Sequence, residues 1–149
     1  MGLLKEVLND IKPIGKDKEI NLFLKKLGKL IRGNSINAEV FAGGSVAKGT
    51  FLKEDHDVDI FVRFDLRYKE KDISKILGKV LKPLNPKLVH GSRDYFSIEN
   101  RLSFEIIPVL NITKSEQAEN VMDMSPLHVN WVIKNSNIKL RNEIRLAKQ

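Results

Sequence analysis

The chain has 149 residues, no cysteine, and 26 Lys and Arg against 19 Asp and Glu, which gives a formal net charge of +7. This length suits one domain whose hydrophobic core is large enough to be stable without disulfide bonds. The lack of cysteine excludes disulfides, thiolate metal sites and a cysteine nucleophile. The positive charge favours polyanionic partners such as nucleic acid or nucleotides, although the same surplus is common in proteins that bind neither. Apolar runs fall far short of the ~20 residues that span a bilayer, and no signal-peptide pattern opens the chain, so we expect a cytoplasmic protein without a membrane partner.

Periodicity and breaker residues divide the chain into helices and strands. Apolar residues spaced three or four apart predict helices, and alternation of apolar and polar residues predicts strands. In chain order the expected elements are two helices within 1–32, a strand at 38–42, a first helical turn at 45–48, a strand at 58–64, a helix at 69–81, strands at 94–98 and 102–109, and helices at 115–122, 125–133 and 138–148. Ser125 is expected to cap the helix that follows, with Pro126 in the first helical position.

The pattern predicts one α+β domain over residues 1–149, with helices packed on a mixed β-sheet. Its expected parts are N-terminal helices at 1–32, the sheet at 36–110 and C-terminal helices at 114–149. Both helical parts are rich in Lys and Arg. These side chains could contact RNA phosphates, although a solvated helix face explains them equally well.

A glycine pair, Gly43 and Gly44, lies between a predicted strand and a helical turn, followed by Ser45 and Lys48. Glycine lets the backbone approach a ligand closely, and the N–H groups at a helix start attract an anion. A triphosphate could bind there, with Lys48 adding positive charge. An ordinary turn is the more frequent explanation of such a segment, so it does not identify a site by itself.

Three acidic residues lie in strands that are otherwise apolar. Asp57 and Asp59 are two positions apart and therefore share one face of their strand. Adjacent carboxylates repel each other, and Mg²⁺ would offset the repulsion, although a solvated strand end is the competing interpretation. Glu105, in the middle of the strand at 102–109, needs either a Lys or Arg partner or a place at the same metal. Three carboxylates beside a phosphate cradle are typical of two-metal phosphoryl or nucleotidyl transfer.

Together these segments resemble a known family. Four segments are similar to the signature of the DNA polymerase β-like nucleotidyltransferases. They are Gly43-Gly44-Ser45, Lys48-Gly49-Thr50, Leu52 and Asp57-x-Asp59. Three later segments are similar to the catalytic head of the archaeal, class I CCA-adding enzymes, which are tRNA nucleotidyltransferases. These segments are Val89-His90-Gly91, Phe104 to Pro108 and Asp123 to Trp131. The resemblance covers most of the chain and implies the polymerase β-like nucleotidyltransferase fold.

The resemblance also implies roles for single residues. Asp57, Asp59 and Glu105 would be catalytic and would hold two Mg²⁺ ions, although the family usually has Asp at the position of Glu105. The residues implied to bind the nucleotide are Gly43, Gly44, Ser45, Lys48, His90, Tyr95, Ser125, His128 and Lys148. Simpler explanations stay open for the two histidines, since His90 suits a surface or capping position and His128 could pack beside Trp131.

The implied function is addition of CMP or AMP, from CTP or ATP, to an RNA 3′ end, with CCA addition at the tRNA acceptor end as the leading expectation. Two alternatives stay open: a minimal nucleotidyltransferase that modifies a protein or a small molecule, and an inactive relative that binds RNA or nucleotide. Full-length enzymes of this type continue into domains that grip the tRNA. The sequence therefore fits either a naturally minimal enzyme or a catalytic head, and a homodimer could supply further RNA-binding surface.

Overall fold

A computed structural model describes residues 2–11, 16–48, 50, 52 and 56–148 of the protein. Its helices are α1 (Gly2–Ile11), α2 (Lys16–Gly33), α3 (Gly44–Lys48), α4 (Ile73–Leu81), α5 (Ser125–Lys134) and α6 (Ile138–Ala147). Its strands are β1 (Ala38–Ala42), β2 (Asp57–Phe64), β3 (Lys87–Val89), β4 (Tyr95–Glu99) and β5 (Ser103–Leu110). Short 3₁₀ helices occur at Leu66–Tyr68, Lys82–Leu84, Ser115–Gln117 and Val121–Met124. None of the helices in these described ranges is both long and apolar enough to cross a membrane.

The strands form one mixed sheet in the order β1-β2-β5-β4-β3. β2 and β5 run parallel, and the other neighbouring pairs are antiparallel. A parallel pair needs a long crossover connection, which here contains α4 and the antiparallel strands β3 and β4. The parallel register sets Asp57 opposite Ser103 and Asp59 opposite Glu105. The predicted mixed sheet is therefore confirmed, and its register brings two of the acidic residues side by side.

The two faces of the sheet are packed differently. One face carries the main hydrophobic core, against which α2 and α4 pack. The ring of Phe23 on α2 stacks on Phe104 with 3.9 Å between centroids. The buried sheet residues in this core are Val58, Ile60, Val62, Phe64, Phe96, Phe104, Ile106 and Leu110. The opposite face holds a smaller cluster around Phe61, Ile107 and Val109, and strand alternation puts Asp59 and Glu105 on that same face.

Most of the predicted elements match the structure closely. The strand at 38–42 has the predicted bounds, and two helices occupy the N-terminal segment as expected. The elements predicted at 45–48, 58–64, 94–98, 102–109, 125–133 and 138–148 differ from the structure by no more than one residue at either end. The short edge strand β3 was not predicted, because three residues carry too little alternation to be recognised.

The helix predicted at 69–81 begins later, at Ile73. Glu70 has a positive φ of 69°, which a helix does not accommodate. The side chain of Asp72 then caps α4 by accepting a hydrogen bond of 3.0 Å from the Lys75 N–H. The prediction was wrong here because a local side-chain cap outweighed the apolar periodicity.

The helix predicted at 115–122 is also wrong, since the structure has two short 3₁₀ helices there. The side chain of Asn120 accepts a hydrogen bond from the Met122 N–H, which gives the backbone an alternative to a continuous helix. Ser125 does not act as the predicted N-cap, because it is already helical and Met124 occupies the capping position. Pro126 does lie in the first turn of α5, as predicted.

We expect Phe104→Ala to lower the free energy of unfolding by about 3–5 kcal/mol, because its ring is buried and its removal leaves a cavity beneath α2. Urea unfolding followed by circular dichroism measures the change. Leu22→Ala is the control on the outer side of the same helix, where Leu22 is 60% exposed, and it should change stability by less than about 0.5 kcal/mol. Equal losses in the two variants would contradict the packing described above.

Candidate active site

Two carboxylates meet where β2 and β5 run side by side. Asp59 and Glu105 are register partners, both are half-buried, and their side chains hydrogen-bond to each other. Asp57 lies two residues before Asp59 on the same face, is exposed, and its charge acts on both of them. The three acidic residues predicted from the sequence therefore share one face of the sheet.

The surroundings disfavour ionisation of this carboxylate pair. Burial raises the pKa of Asp59, and the charge of Asp57 raises it further, while the hydrogen bond with Glu105 and the charge of Lys48 act in the opposite direction. Burial also raises the pKa of Glu105, as do the charge of Asp59 and the hydrogen bond with it. The hydrogen bond between them therefore favours the ionised form of Asp59 and the protonated form of Glu105.

This carboxylate cluster has the chemistry of a Mg²⁺ site. Carboxylate oxygens are preferred ligands of Mg²⁺, and a cation would offset both the burial and the repulsion that raise the two pKa values. Within the described part of the chain, Glu105 has no Lys or Arg ion-pair partner. Across those same residues no group of three His, Asp or Glu side chains is arranged to hold a metal as it stands. Asp57 is exposed, so its side chain can rotate towards Asp59 without disturbing the core.

The glycine pair brings the backbone directly against this cluster. The Gly43 N–H donates a hydrogen bond of 2.8 Å to the backbone oxygen of Asp59. A Cβ on Gly43 would lie 1.9 Å from Cε2 of Phe61, and one on Gly44 would lie 2.3 Å from Oδ2 of Asp59. Gly44 also has a φ of +54°, which favours glycine. Both positions therefore need glycine, and a ligand held at Asp59 would touch the backbone of Gly44.

A cavity of about 350 Å³ opens between α3 and α5 with Asp59 at one wall, and we call it the α3–α5 cavity. Its polar lining includes Gly44 and Lys48 from α3 and Ser125 and His128 from α5. Its apolar lining consists of Phe61, Ile107, Val121, Met122, Met124 and Val129. One wall thus carries a carboxylate and a lysine ammonium group, and the remainder is largely apolar.

A second cavity, of about 270 Å³, adjoins the first and lies beside β4 and β5. Its lining includes Glu105 and Tyr95 together with the segment Gly91–Arg93. Asp59, Ile107 and Met122 line both cavities. Asp59 is therefore the polar group that the two cavities share.

Other predicted nucleotide-binding residues lie outside these two linings. His90 is exposed, and its Nδ1 lies 3.0 Å from Oδ1 of Asp94. Lys148 follows α6, and its Nζ donates a hydrogen bond of 3.2 Å to the backbone oxygen of Thr50. The side chain of Ser45 and all of Gly49 lie outside the described residues. The roles assigned to His90, Lys148 and Ser45 stay predictions.

The ring of His128 is stacked parallel to that of Trp131, with 6.5 Å between centroids and 9° between planes. Trp131 is 62% exposed, so this pair lies on the outside of α5 and not in the core. The sequence left core packing and ligand contact open for His128. Its exposure and its place in the lining of the α3–α5 cavity favour ligand contact.

Sequence reasoning missed the ion pair between Arg93 and Asp123. Both guanidinium Nη atoms contact the carboxylate, and the Nη2–Oδ2 distance is 3.1 Å. Asp123 is fully buried and also accepts hydrogen bonds from the N–H groups of Leu110, Glu119 and Asn120. This carboxylate connects the end of β5, the cavity-lining Arg93 and the turn that leads into α5. A single acid between Met122 and Met124 was the signal, since an acid among apolar residues needs a cationic partner.

The fold is that of the polymerase β-like nucleotidyltransferases, as the sequence predicted. Residues 17–146 match the model of the nucleotidyltransferase domain, and the chain belongs to that family. The CCA-adding enzyme of Nanoarchaeum equitans (strain Kin4-M) is 46% identical over an alignment of 100 positions that covers 65% of this chain and 25% of that protein. The CCA-adding enzyme of Methanocaldococcus jannaschii is 35% identical over an alignment of 159 positions that covers 98% of this chain and 35% of that protein.

A solved structure of Cid1, which has an RNA terminal uridylyl transferase activity, superposes on this chain with a TM-score of 0.71. It is 21% identical over 99% of this chain and 43% of that chain, and it shows a shared fold alone. The chain spans 25% and 35% of the length of the two curated relatives described above.

We expect Asp123→Asn to lower the free energy of unfolding by about 3 kcal/mol at pH 7, because it leaves the Arg93 charge buried without its partner. Burial opposes ionisation of Asp123, but the hydrogen bonds and charge of Arg93 and the backbone N–H donors outweigh it, so its pKa is lowered from 3.8. A lowered pKa stabilises the fold above the unfolded-state pKa, and that stabilisation is lost as pH falls through the folded-state value.

Urea unfolding of both proteins between pH 7 and pH 3 tests this prediction. The difference between wild type and Asp123→Asn should be constant near neutrality and should shrink below about pH 4. A difference that stays the same down to pH 3 would show that the Asp123 charge does not contribute to stability. Asp94→Asn, which alters an exposed ion pair with His90, is the control and should have little effect.

Proposed function

We propose that the protein is a Mg²⁺-dependent nucleotidyltransferase that adds CMP or AMP, from CTP or ATP, to the 3′ hydroxyl of RNA, with the tRNA acceptor end as the substrate. The observation that carries this is the pair of half-buried carboxylates, Asp59 and Glu105, at the junction of two adjoining cavities. The family supports nucleotidyl transfer, and the CCA-adding relatives support the choice of tRNA. A homodimer as a source of RNA-binding surface stays a prediction.

In the proposed reaction the RNA 3′ oxygen attacks the α-phosphate, forms a new phosphodiester bond and releases pyrophosphate. Mg²⁺ bound by Asp57, Asp59 and Glu105 would supply charge neutralisation at the phosphate oxygens. The protein itself contributes mainly positioning and electrostatic stabilisation. The carboxylates would fix the reacting phosphate at one end of the α3–α5 cavity, where the Gly44 backbone leaves room for it.

The rest of the α3–α5 cavity would hold the nucleotide. Lys48 would bind phosphate oxygens, since its ammonium group already acts on the Asp59 charge. The Ser125 hydroxyl and the His128 imidazole would bind the ribose or the triphosphate from α5. Phe61 and Val129 would exclude water from the reacting groups. The Arg93–Asp123 ion pair would hold the start of α5 in place and so position Ser125.

We expect Mg²⁺ to raise the melting temperature of the wild-type protein, because a ligand that binds only the folded state stabilises it by about 1.4 kcal/mol at tenfold its dissociation constant. Asp59→Asn and Glu105→Gln should lose this increase. Without Mg²⁺ both variants should be at least as stable as wild type, because each removes a carboxylate whose ionised form is disfavoured by burial and by the charge of Asp57. Differential scanning fluorimetry measures both effects.

Glu99→Gln is the matched control for the melting experiment, because Glu99 is an exposed acid on β4 outside both cavities. It should keep the full Mg²⁺-dependent increase. Equal increases in wild type, Asp59→Asn and Glu105→Gln would exclude these carboxylates as Mg²⁺ ligands.

The function is tested by incubating the protein with labelled CTP or ATP, Mg²⁺ and a tRNA that lacks its terminal CCA. We expect label in the RNA with wild type and Glu99→Gln, and a loss of more than about 100-fold in Asp57→Ala/Asp59→Ala, because the acids stabilise charge in the transition state. Label on protein would support the alternative of protein modification. RNA binding without any incorporation would identify an inactive relative and overturn the proposal.

A further inference from the structure

A cleft of about 850 Å³ lies along the outer edge of β1, apart from the two cavities at Asp59. Its walls come from α2, from β1, from Arg63 of β2 and from Asn130 of α5, and we call it the α2–β1 cleft. β1 is the terminal strand of the sheet, so alternate backbone groups of this strand face outwards along the cleft. The cleft therefore joins the helix-covered face of the sheet to the face that carries the acids.

The lining of this cleft is strongly basic. Three exposed side chains of α2, Lys25, Lys29 and Arg32, lie at positions i, i+4 and i+7 and so share one face of the helix. Arg63 adds a fourth positive charge from the sheet, and Glu39 is the acid in the lining. Glu39 offsets one of these four positive charges, and the repulsion among the rest favours an anionic ligand.

Arg63 is the most constrained of these cations. Its guanidinium lies 5.4 Å from the centroid of the Phe41 ring, and its Nη2 donates a long hydrogen bond of 3.5 Å to the backbone oxygen of Ile112. Its Nε is buried and has no hydrogen-bond partner among the described residues. Burial lowers the pKa of Arg63, and the charge of Glu39 acts in the opposite direction. An anion in the cleft would compensate this desolvated charge, and the planar guanidinium fits phosphate oxygens well.

The cleft is continuous with the candidate active site through two elements. Phe61, which lines the α3–α5 cavity, is the register partner of Phe41, which lines the cleft, and their ring centroids are 5.8 Å apart. On α5, His128 faces the cavity and Asn130 faces the cleft. Arg63 lies four residues beyond Asp59 on the same face of β2, a distance of about 13 Å along the strand. An extended polyanion with its end at Asp59 would reach the cleft.

We propose that the α2–β1 cleft binds backbone phosphates of the RNA strand whose 3′ end lies at Asp59. This inference rests on the proposed function, since it takes RNA as the substrate. RNA fits better than an acidic peptide strand, because the cleft continues directly into the cavity that would hold the reacting nucleotide. Contacts to phosphates would position the strand without reading its sequence.

The test compares Lys25→Gln/Lys29→Gln/Arg32→Gln with Lys79→Gln/Lys82→Gln/Lys87→Gln. Both variants lose three exposed positive charges, and the second set lies on α4, the turn after it and β3, away from the cleft. Binding of a fluorescent tRNA lacking its CCA end is measured from 50 to 300 mM salt without nucleotide. Because each phosphate contact to a single strand contributes about 0.7 to the slope of log K against log salt, we expect the cleft variant to lose roughly 1.4 to 2 of that slope. Its affinity at low salt should fall at least about tenfold, and that of the control less than about threefold.

Equal affinities and equal slopes in the two variants would overturn the proposal, because net charge alone would then explain RNA binding. Wild-type protein that binds a polyglutamate peptide in this cleft, and not RNA, would also overturn it and assign the cleft to a protein strand. The measurement needs no turnover, so it reports on the cleft even if nucleotide addition is absent. Conversely, nucleotide addition by both variants together with equal RNA affinities would leave the proposed function intact and reject the cleft. Circular dichroism confirms that both triple variants fold.

Discussion

The parallel pairing of β2 with β5 is the constraint on which the candidate active site depends. It sets Asp59 beside Glu105, two carboxylates whose ionised state is disfavoured by burial and by the nearby charge of Asp57. The register cannot slip to relieve this, because a shift by one residue would turn Ile60 and Ile106 out of the core and the acids into it. The hydrophobic face of the sheet thus stabilises an arrangement on the other face that would be unfavourable by itself.

The sequence predicts those parts of the site that depend on local spacing. Asp57 and Asp59 share a face because strand side chains alternate, and the glycine pair precedes α3 where a close backbone contact is needed. The meeting of Asp59 with Glu105 depends on strands that are distant in the chain, and only the family resemblance predicted it. The Arg93–Asp123 ion pair was missed for the same reason, since neither residue's neighbours indicate the other. Local capping by Asp72 and Asn120 explains the two helices that were wrongly predicted.

Asp123 explains how a small domain can hold α5 at a defined distance from the acids. Its carboxylate accepts hydrogen bonds from three backbone N–H groups as well as from Arg93, so both of its oxygens are used. A buried charge with several partners is rigid, because moving any one donor leaves the others unsatisfied. Met122 and Ser125, on either side of it, both line the α3–α5 cavity. The cavity wall is therefore positioned by an electrostatic contact and not only by apolar packing.

The charge on the acid-bearing face of the sheet changes sign along β2. On that face the strand presents Asp57, Asp59, Phe61 and Arg63 in turn, so it passes from carboxylates through an aromatic ring to a cation within about 20 Å. An RNA 3′ end needs both environments, since its reacting hydroxyl and the triphosphate require a bound cation and its backbone phosphates require basic side chains. Phe61 and Phe41 separate Arg63 from the carboxylates. Without this separation, Coulomb attraction between Arg63 and the carboxylates would compete with the binding of a cation at one end and of RNA phosphates at the other. Strand alternation places all four side chains on one face, and that face can therefore serve metal-assisted chemistry at one end and RNA phosphates at the other.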